Sequence, residues 1–137
     1  GTAQDQFRNK LVGAHAVEMQ RLSEAIKSFT DDMTEQGLAD HTVLMTYSEF
    51  GRRPNENASN GTDHGTASSM FVVGNAVKGG DLYGLQPSLD PADYDAAGNV
   101  KFTTDFRSVY ATLLDGWMPG GDSRRILGGD FAPLGFL

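Results

Sequence analysis

Two short stretches of the chain carry residue types that support hydrolytic or metal chemistry. One runs from Ser48 to Arg53, and the other, residues 61–66 (GTDHGT), sets a carboxylate beside an imidazole between glycines. An Asp-His pair flanked by glycine can meet a cation with little hindrance from the backbone. In isolation, however, the same six residues favour a turn, with Asp63 bonded to its own backbone and His64 in solvent.

Within the first stretch, Glu49 and Arg52 are the candidates for chemistry. Glu49 can serve as an oxygen ligand of a metal ion or as a general base. Arg52 offers a planar fork of donors that suits phosphate or sulfate. Composition alone favours a plainer alternative, an exposed loop held by salt bridges. The two other histidines, His15 and His41, are expected to be structural or solvent-facing.

One predicted helix precedes these stretches in the sequence, and another follows them. Apolar residues at helical spacing predict one long helix, or two stacked ones, over residues 5–36, ended by Gly37. A second amphipathic helix is predicted over residues 106–117, with Thr104 as the capping hydroxyl and Asp105 in the first turn. The apolar tail that follows is expected to dock on the core.

Two apolar runs between these helices predict strands. Residues 42–47 and 69–73 are short, and the first is β-branched, as is typical of strands buried in a parallel sheet. Residues 48–66 between them are predicted to form a loop. Because ligands gather beyond the carboxyl ends of strands in such sheets, Glu49 and Arg52 follow the first strand at a favourable place.

Composition limits the classes of partner and chemistry. The 137 residues suit one domain or part of one, and 18 acidic against 11 basic residues give a net charge of −7. This charge, with no basic stripe, argues against nucleic acid as a partner. The absence of cysteine excludes disulfides, thiolate ligands and cysteine nucleophiles. The apolar runs are too short for membrane insertion.

Four segments in order resemble a known family. They are residues 43–52 (VLMTYSEFGR), 61–66 (GTDHGT), 71–80 (FVVGNAVKGG) and 103–107 (TTDFR). Together they resemble the C-terminal part of the sulfatase-like bacterial domain of unknown function numbered 1501, in the alkaline phosphatase superfamily. The resemblance covers essentially the whole chain. It implies the C-terminal portion of an alkaline-phosphatase-like α/β/α sandwich with a mainly parallel sheet, residues 1–137 forming a single partial domain.

The resemblance also implies a chemistry and a location. Such proteins commonly hydrolyse phosphate or sulfate esters at one or two divalent metals, and they are often exported, which implies a periplasmic or secreted protein. The superfamily carries an Asp-His pair where the middle strand ends and a further His after the next loop. By this correspondence Glu49, Asp63 and His64 would bind a divalent metal, zinc by preference and calcium or manganese as alternatives. Arg52 would be the catalytic anion clamp on a small phosphate or sulfate ester.

The chain also departs from the family pattern. Phe50 stands where a ligand is usual and cannot coordinate a metal. A catalytic zinc needs about three protein ligands and an open position, and the family's Asp-x-His motif and its nucleophile are expected upstream of Gly1. We therefore expect the chain alone to be inactive, with a second copy or the missing N-terminal part covering the sheet.

The sequence is also compatible with two other classes of protein. The chain can be a degenerate, non-catalytic envelope protein used for binding or assembly, and Phe50 is the best support for that hypothesis. In that case the loops rich in glycine and asparagine recognise a partner or a glycan. The third alternative is a small independent α/β domain whose resemblance to the family is superficial.

Overall fold

The structure, a computed structural model, describes residues 14–137 as a mixed α/β chain, which confirms the predicted class. The helices are α1 (Ala14–Glu35), α2 (Phe106–Gly116) and α3 (Ser123–Leu127), and the strands are β1 (Leu44–Met45), β2 (Gly51–Glu56), β3 (Thr62–Gly65) and β4 (Val72–Val73). Single 3₁₀ turns lie at Ala39–His41 and Pro91–Asp93. Over this described range, no helix has the length and apolar character required to span a bilayer.

Helix α1 ends where the sequence predicts. Gly37 adopts a left-handed φ of 70°, and its N–H donates to the carbonyl of Thr34 at 3.1 Å. The N–H of Leu38 donates to the carbonyl of Met33 at 2.8 Å. These bonds satisfy carbonyls that the last turn of a helix leaves free. The predicted beginning of this helix, residues 5–13, lies outside the described residues.

Helix α2 is confirmed, but Thr104 is not its cap. The extended residue Asp105 takes that position, and its carboxylate accepts from the N–H of Arg107 at 2.9 Å. The Arg107 guanidinium also donates to both oxygens of this carboxylate, and these bonds hold the pKa of Asp105 below its ordinary value. A carboxylate suits this position because it satisfies a free N–H of the first turn.

The C-terminal tail packs back onto the chain, as predicted. Phe136 is only 3% exposed, and its carbonyl accepts from the N–H of Lys78 at 2.8 Å. The N–H of Leu134 donates to the hydroxyl of Thr112 in α2 at 2.7 Å. The buried apolar side chains of the described residues are few: Ala16, Val100, Val109, Ala111 and Phe136.

The strands predicted at residues 42–47 and 69–73 exist, but they are shorter and pair antiparallel. Leu44 lies opposite Val73 and Met45 opposite Val72. Each strand has two residues, all only half-buried, so the expectation of parallel strands buried on both faces is wrong for this pair. A short apolar run identifies a strand, but it carries no information on the direction of its neighbour.

The predicted loop at residues 48–66 is in fact a β-hairpin. Strands β2 and β3 pair antiparallel, with Gly51 opposite Gly65 and Arg52 opposite His64. The register shifts before Glu56, which lies opposite Thr62. Glycine, proline and asparagine are depleted from strands, so the composition of residues 48–66 predicts a loop and not a hairpin. The hairpin joins the two stretches that carry the candidate residues.

Candidate functional site

Asn57 organises the turn at the tip of the hairpin. Its side-chain oxygen accepts from the N–H groups of Ser59 at 3.0 Å and Gly61 at 3.1 Å. Its side-chain N–H₂ donates to the carboxylate of Asp63 at 2.9 Å. Its backbone N–H donates to the carbonyl of Gly61 at 2.8 Å. One amide side chain thus closes the turn and holds Asp63, as asparagine commonly does in such turns.

One face of the hairpin gathers an arginine, a histidine and a phenylalanine. The rings of Phe50 and His64 stack with centroids 3.6 Å apart and planes 17° apart. The guanidinium carbon of Arg52 lies 5.2 Å from the centre of the Phe50 ring, and its Nη1 donates to the carbonyl of Thr62 at 2.9 Å. We refer to Phe50, Arg52 and His64 as the hairpin face.

The hairpin face is suited to binding an anion. Both Arg52 and His64 are exposed, so a ligand can reach them from solvent. The negative face of an aromatic ring attracts a cationic neighbour, and the Arg52 guanidinium is such a neighbour of the Phe50 ring. A guanidinium has five N–H donors, and Arg52 uses one of them on Thr62. Donors on a fixed strand favour a small oxyanion.

The opposite face of β2 holds the hairpin to the rest of the chain. Because side chains alternate along a strand, Arg53 points away from Arg52. The Nε of Arg53 donates to the side-chain oxygen of Asn99 at 3.3 Å. Asn99 is 8% exposed, and its N–H₂ donates to both carboxylate oxygens of Asp95, at 3.1 and 2.9 Å. We refer to Arg53, Asn99 and Asp95 as the anchor.

The anchor is also tied through its backbone. The N–H of Asn99 donates to the carboxylate of Asp95 at 2.8 Å, and the N–H of Asp95 donates to the carbonyl of Asn99 at 2.9 Å. The side-chain bond from Asn99, followed by its backbone bond, holds the pKa of Asp95 below its ordinary value. The positive charge of Arg53 acts in the same direction. Hydrogen bonds to the charged form of a carboxyl stabilise that form.

The base of the hairpin is tightly packed at Gly51. A Cβ atom on Gly51 would lie 1.6 Å from the carbonyl oxygen of Ala67, far inside van der Waals contact. Beside it, the Thr66 hydroxyl donates to the carbonyl of Val100 at 2.7 Å. A glycine allows this close approach of two backbones because it has no side chain.

The predicted metal ligands lie on or next to the hairpin. Glu49, just before β2, is exposed, and Asp63 is exposed and bonded to Asn57. No group of three or more His, Asp or Glu side chains that could hold a metal ion occurs within residues 14–137. Glu49, Asp63 and His64 therefore do not form a complete metal site by themselves. A cation shared by Glu49 and His64 stays a prediction.

Several residues of the site were not predicted from the sequence. Arg53 and Asn99 were missed because their contact joins segments distant along the chain. The spacing of Asp95 and Asn99 around a glycine is a signal in the sequence that indicates a structured turn there. The sequence indicates that Phe50 cannot bind a metal, but it does not indicate that the Phe50 ring stacks on His64. His15 and His41 are both exposed, as expected.

These features define an α/β chain whose antiparallel hairpin presents arginine, histidine and phenylalanine on an exposed face. Residues 8–128 match the family described as "Protein of unknown function (DUF1501)", and the chain belongs to this family. This match confirms the family suggested by the sequence motifs. Neither a curated protein nor a solved structure was found to match the chain.

Proposed function

We propose that the chain is the C-terminal part of a metal-dependent hydrolase of phosphate or sulfate esters. The observation that most supports this function is the position of Arg52 opposite His64 on an exposed hairpin face. A guanidinium beside an imidazole suits the anionic group of such an ester. In this proposal Arg52 binds the ester oxygens, and His64 lies next to the reacting group.

The proposed metal site needs ligands beyond the hairpin as well. Glu49, Asp63 and His64 would contribute to binding zinc, or alternatively calcium or manganese, but they need further ligands from elsewhere in the protein. A metal bound there would stabilise negative charge and activate a nucleophile. The chain alone is therefore expected to have no activity.

The fold proposed for the whole protein is an alkaline-phosphatase-like α/β/α sandwich with a mainly parallel sheet. The antiparallel pair of β1 and β4 is compatible with that arrangement because mixed sheets are common among large α/β proteins. An N-terminal part of the protein, or a second copy, would cover the sheet. By analogy with the family, the protein is proposed to be periplasmic or secreted.

Replacing Arg52 with alanine is expected to weaken binding of inorganic phosphate or sulfate to this chain about tenfold. The loss of a charge-assisted donor accounts for that magnitude, since such hydrogen bonds contribute roughly 1.5–3 kcal/mol. Titration of the anion, monitored by NMR of the His64 ring, measures the affinity.

Arg21→Ala is the matched control for this titration. Arg21 is an exposed arginine on α1, paired with Glu18, so its removal changes the net charge equally without touching the hairpin. Its affinity should remain within about twofold of the unaltered chain, because long-range surface charge is largely screened at physiological salt. Equal losses in the two variants would rule out a specific anion site at Arg52.

In the natural protein, removal of the His64 imidazole is expected to abolish both bound metal and hydrolysis of a generic aryl phosphate or sulfate ester. Loss of one of about three ligands removes most of the affinity of a metal site. Elemental analysis and steady-state rates of His64→Ala measure the two effects, with His41→Ala as the matched control. Unchanged metal content and rate in His64→Ala would contradict the proposed role.

A second candidate function is non-catalytic binding or assembly at the cell envelope. The stack of Phe50 on His64 favours it, because an aromatic ring stands where the resemblance implies a ligand. A flat aromatic and imidazole surface beside an arginine suits recognition of a partner or glycan. Absence of stoichiometric metal from the natural protein would favour this function over the hydrolase.

A further inference from the structure

The tip of the hairpin contains a dipeptide with its own chemistry. Asn60-Gly61 is the one Asn-Gly sequence of the chain, and both residues are exposed. Asn60 adopts a left-handed φ of 57°. Asparagine is a thermolabile residue, and a following glycine leaves the next backbone nitrogen without a side chain to shield it.

We propose that Asn60 is a site of spontaneous deamidation and that Asn57 controls its rate. The backbone nitrogen of Gly61 gives its proton to water and attacks the side-chain carbonyl carbon of Asn60. A new C–N bond closes a succinimide ring, while the bond to the side-chain nitrogen breaks and ammonia leaves with a proton. Water then opens either ring carbonyl, which yields aspartate or isoaspartate. No oxidant or reductant takes part.

The structure shows why Asn57 restrains this reaction. The attacking nitrogen of Gly61 carries the hydrogen that is bonded to the Asn57 side-chain oxygen at 3.1 Å. The N–H of Asn60 also donates to the carbonyl of Asn57, at 3.1 Å. The turn must therefore release Gly61 before its nitrogen can attack. Breaking a hydrogen bond of about 1 kcal/mol corresponds to a rate difference of about fivefold.

The reaction would change the charge and the geometry of the hairpin. It replaces a neutral amide by a carboxylate three residues before Asp63, whose own carboxylate is held by Asn57. Isoaspartate also lengthens the main chain within the turn, next to the pairing of Glu56 with Thr62. A negative charge added to this hairpin reduces its attraction for anions.

Incubation of the chain in neutral buffer, followed by peptide mapping with mass spectrometry, tests the proposal. A synthetic peptide of residues 55–66 serves as the unfolded reference. We expect conversion at Asn60 while Asn55 and Asn75 stay intact, at a rate about fivefold below that of the peptide. In Asn57→Ala the rate at Asn60 should approach that of the peptide. An intact Asn60 after complete conversion of the peptide would overturn the proposal.

Gly61→Ala is the matched control. A Cβ atom on Gly61 would meet the Asn57 side-chain oxygen at 3.8 Å, which is ordinary contact, so the hairpin is retained. The added methyl group shields the attacking nitrogen, and conversion should fall several-fold. If Asn57→Ala leaves the rate unchanged, Asn57 is not the restraint. An equal rise at Asn55 in that variant would indicate general unfolding and would also contradict control by Asn57.

Discussion

Replacing Gly51 with alanine is expected to lower the free energy of unfolding by about 3 kcal/mol or more, because the new methyl group overlaps a backbone. Its Cβ atom would lie 1.6 Å from the oxygen and 2.4 Å from the carbon of the Ala67 carbonyl. These atoms belong to the main chain, so they cannot rotate aside as a flexible side chain can. Urea unfolding followed by circular dichroism measures the change.

The control for this substitution lies in the same hairpin. Gly61→Ala also adds one methyl group, but the nearest atom to its Cβ would be 3.8 Å away. Its effect on the free energy of unfolding should stay within about 0.5 kcal/mol, as for ordinary surface substitutions. Similar midpoints for the two variants would show that the backbone contact at Gly51 is not restrictive.

The second large effect is expected at the buried centre of the anchor. Asn99→Ala removes the side-chain bonds to Arg53 and Asp95 at a position that is 8% exposed. We expect a loss of about 1–3 kcal/mol in the free energy of unfolding, since partners of a buried polar group are left unsatisfied. Asn75→Ala is the matched control, because its bond to Asp40 is exposed.

The same variant should change the dependence of stability on acid. The pKa of Asp95 is lower in the folded chain than in the unfolded chain, first because of the Asn99 side-chain hydrogen bond. Its contribution is therefore complete above the ordinary carboxyl pKa and is lost as pH falls through the lower, folded value. In Asn99→Ala this part of the acid dependence should shrink. An identical pH profile in both proteins would contradict the proposed role of Asn99.

Local signals explain what could be predicted of the fold. The end of α1 depends on Gly37, and the position of α2 depends on apolar spacing and a capping residue, all of which neighbours along the chain determine. The sequence predicts Thr104 as the cap in place of Asp105 because both are good capping residues. Pairing direction is a non-local property, so β1 and β4 were found as strands but not as an antiparallel pair.

The hairpin could not be predicted from local signals in the sequence. Pro54 and the flanking glycines and asparagines indicate a loop by composition, yet β2 is the longest strand of the described chain. Prediction from the sequence selects Arg52 and His64 as candidate site residues, and the hairpin places them opposite each other, while their roles stay predictions. It could not place Phe50 on His64, because that contact depends on the register of two strands.

Adjacent arginines on β2 point to opposite faces, and this limits the insertions and deletions that the strand can accept. Inserting or deleting one residue between Phe50 and Arg52 would exchange their environments, moving Arg53 to the Phe50 side of the strand and Arg52 to the Asn99 side. The turn around Asn57 lies outside both strands, where a change of length is tolerated far better. Natural variation in length is therefore expected in the turn and not within the strand that precedes it.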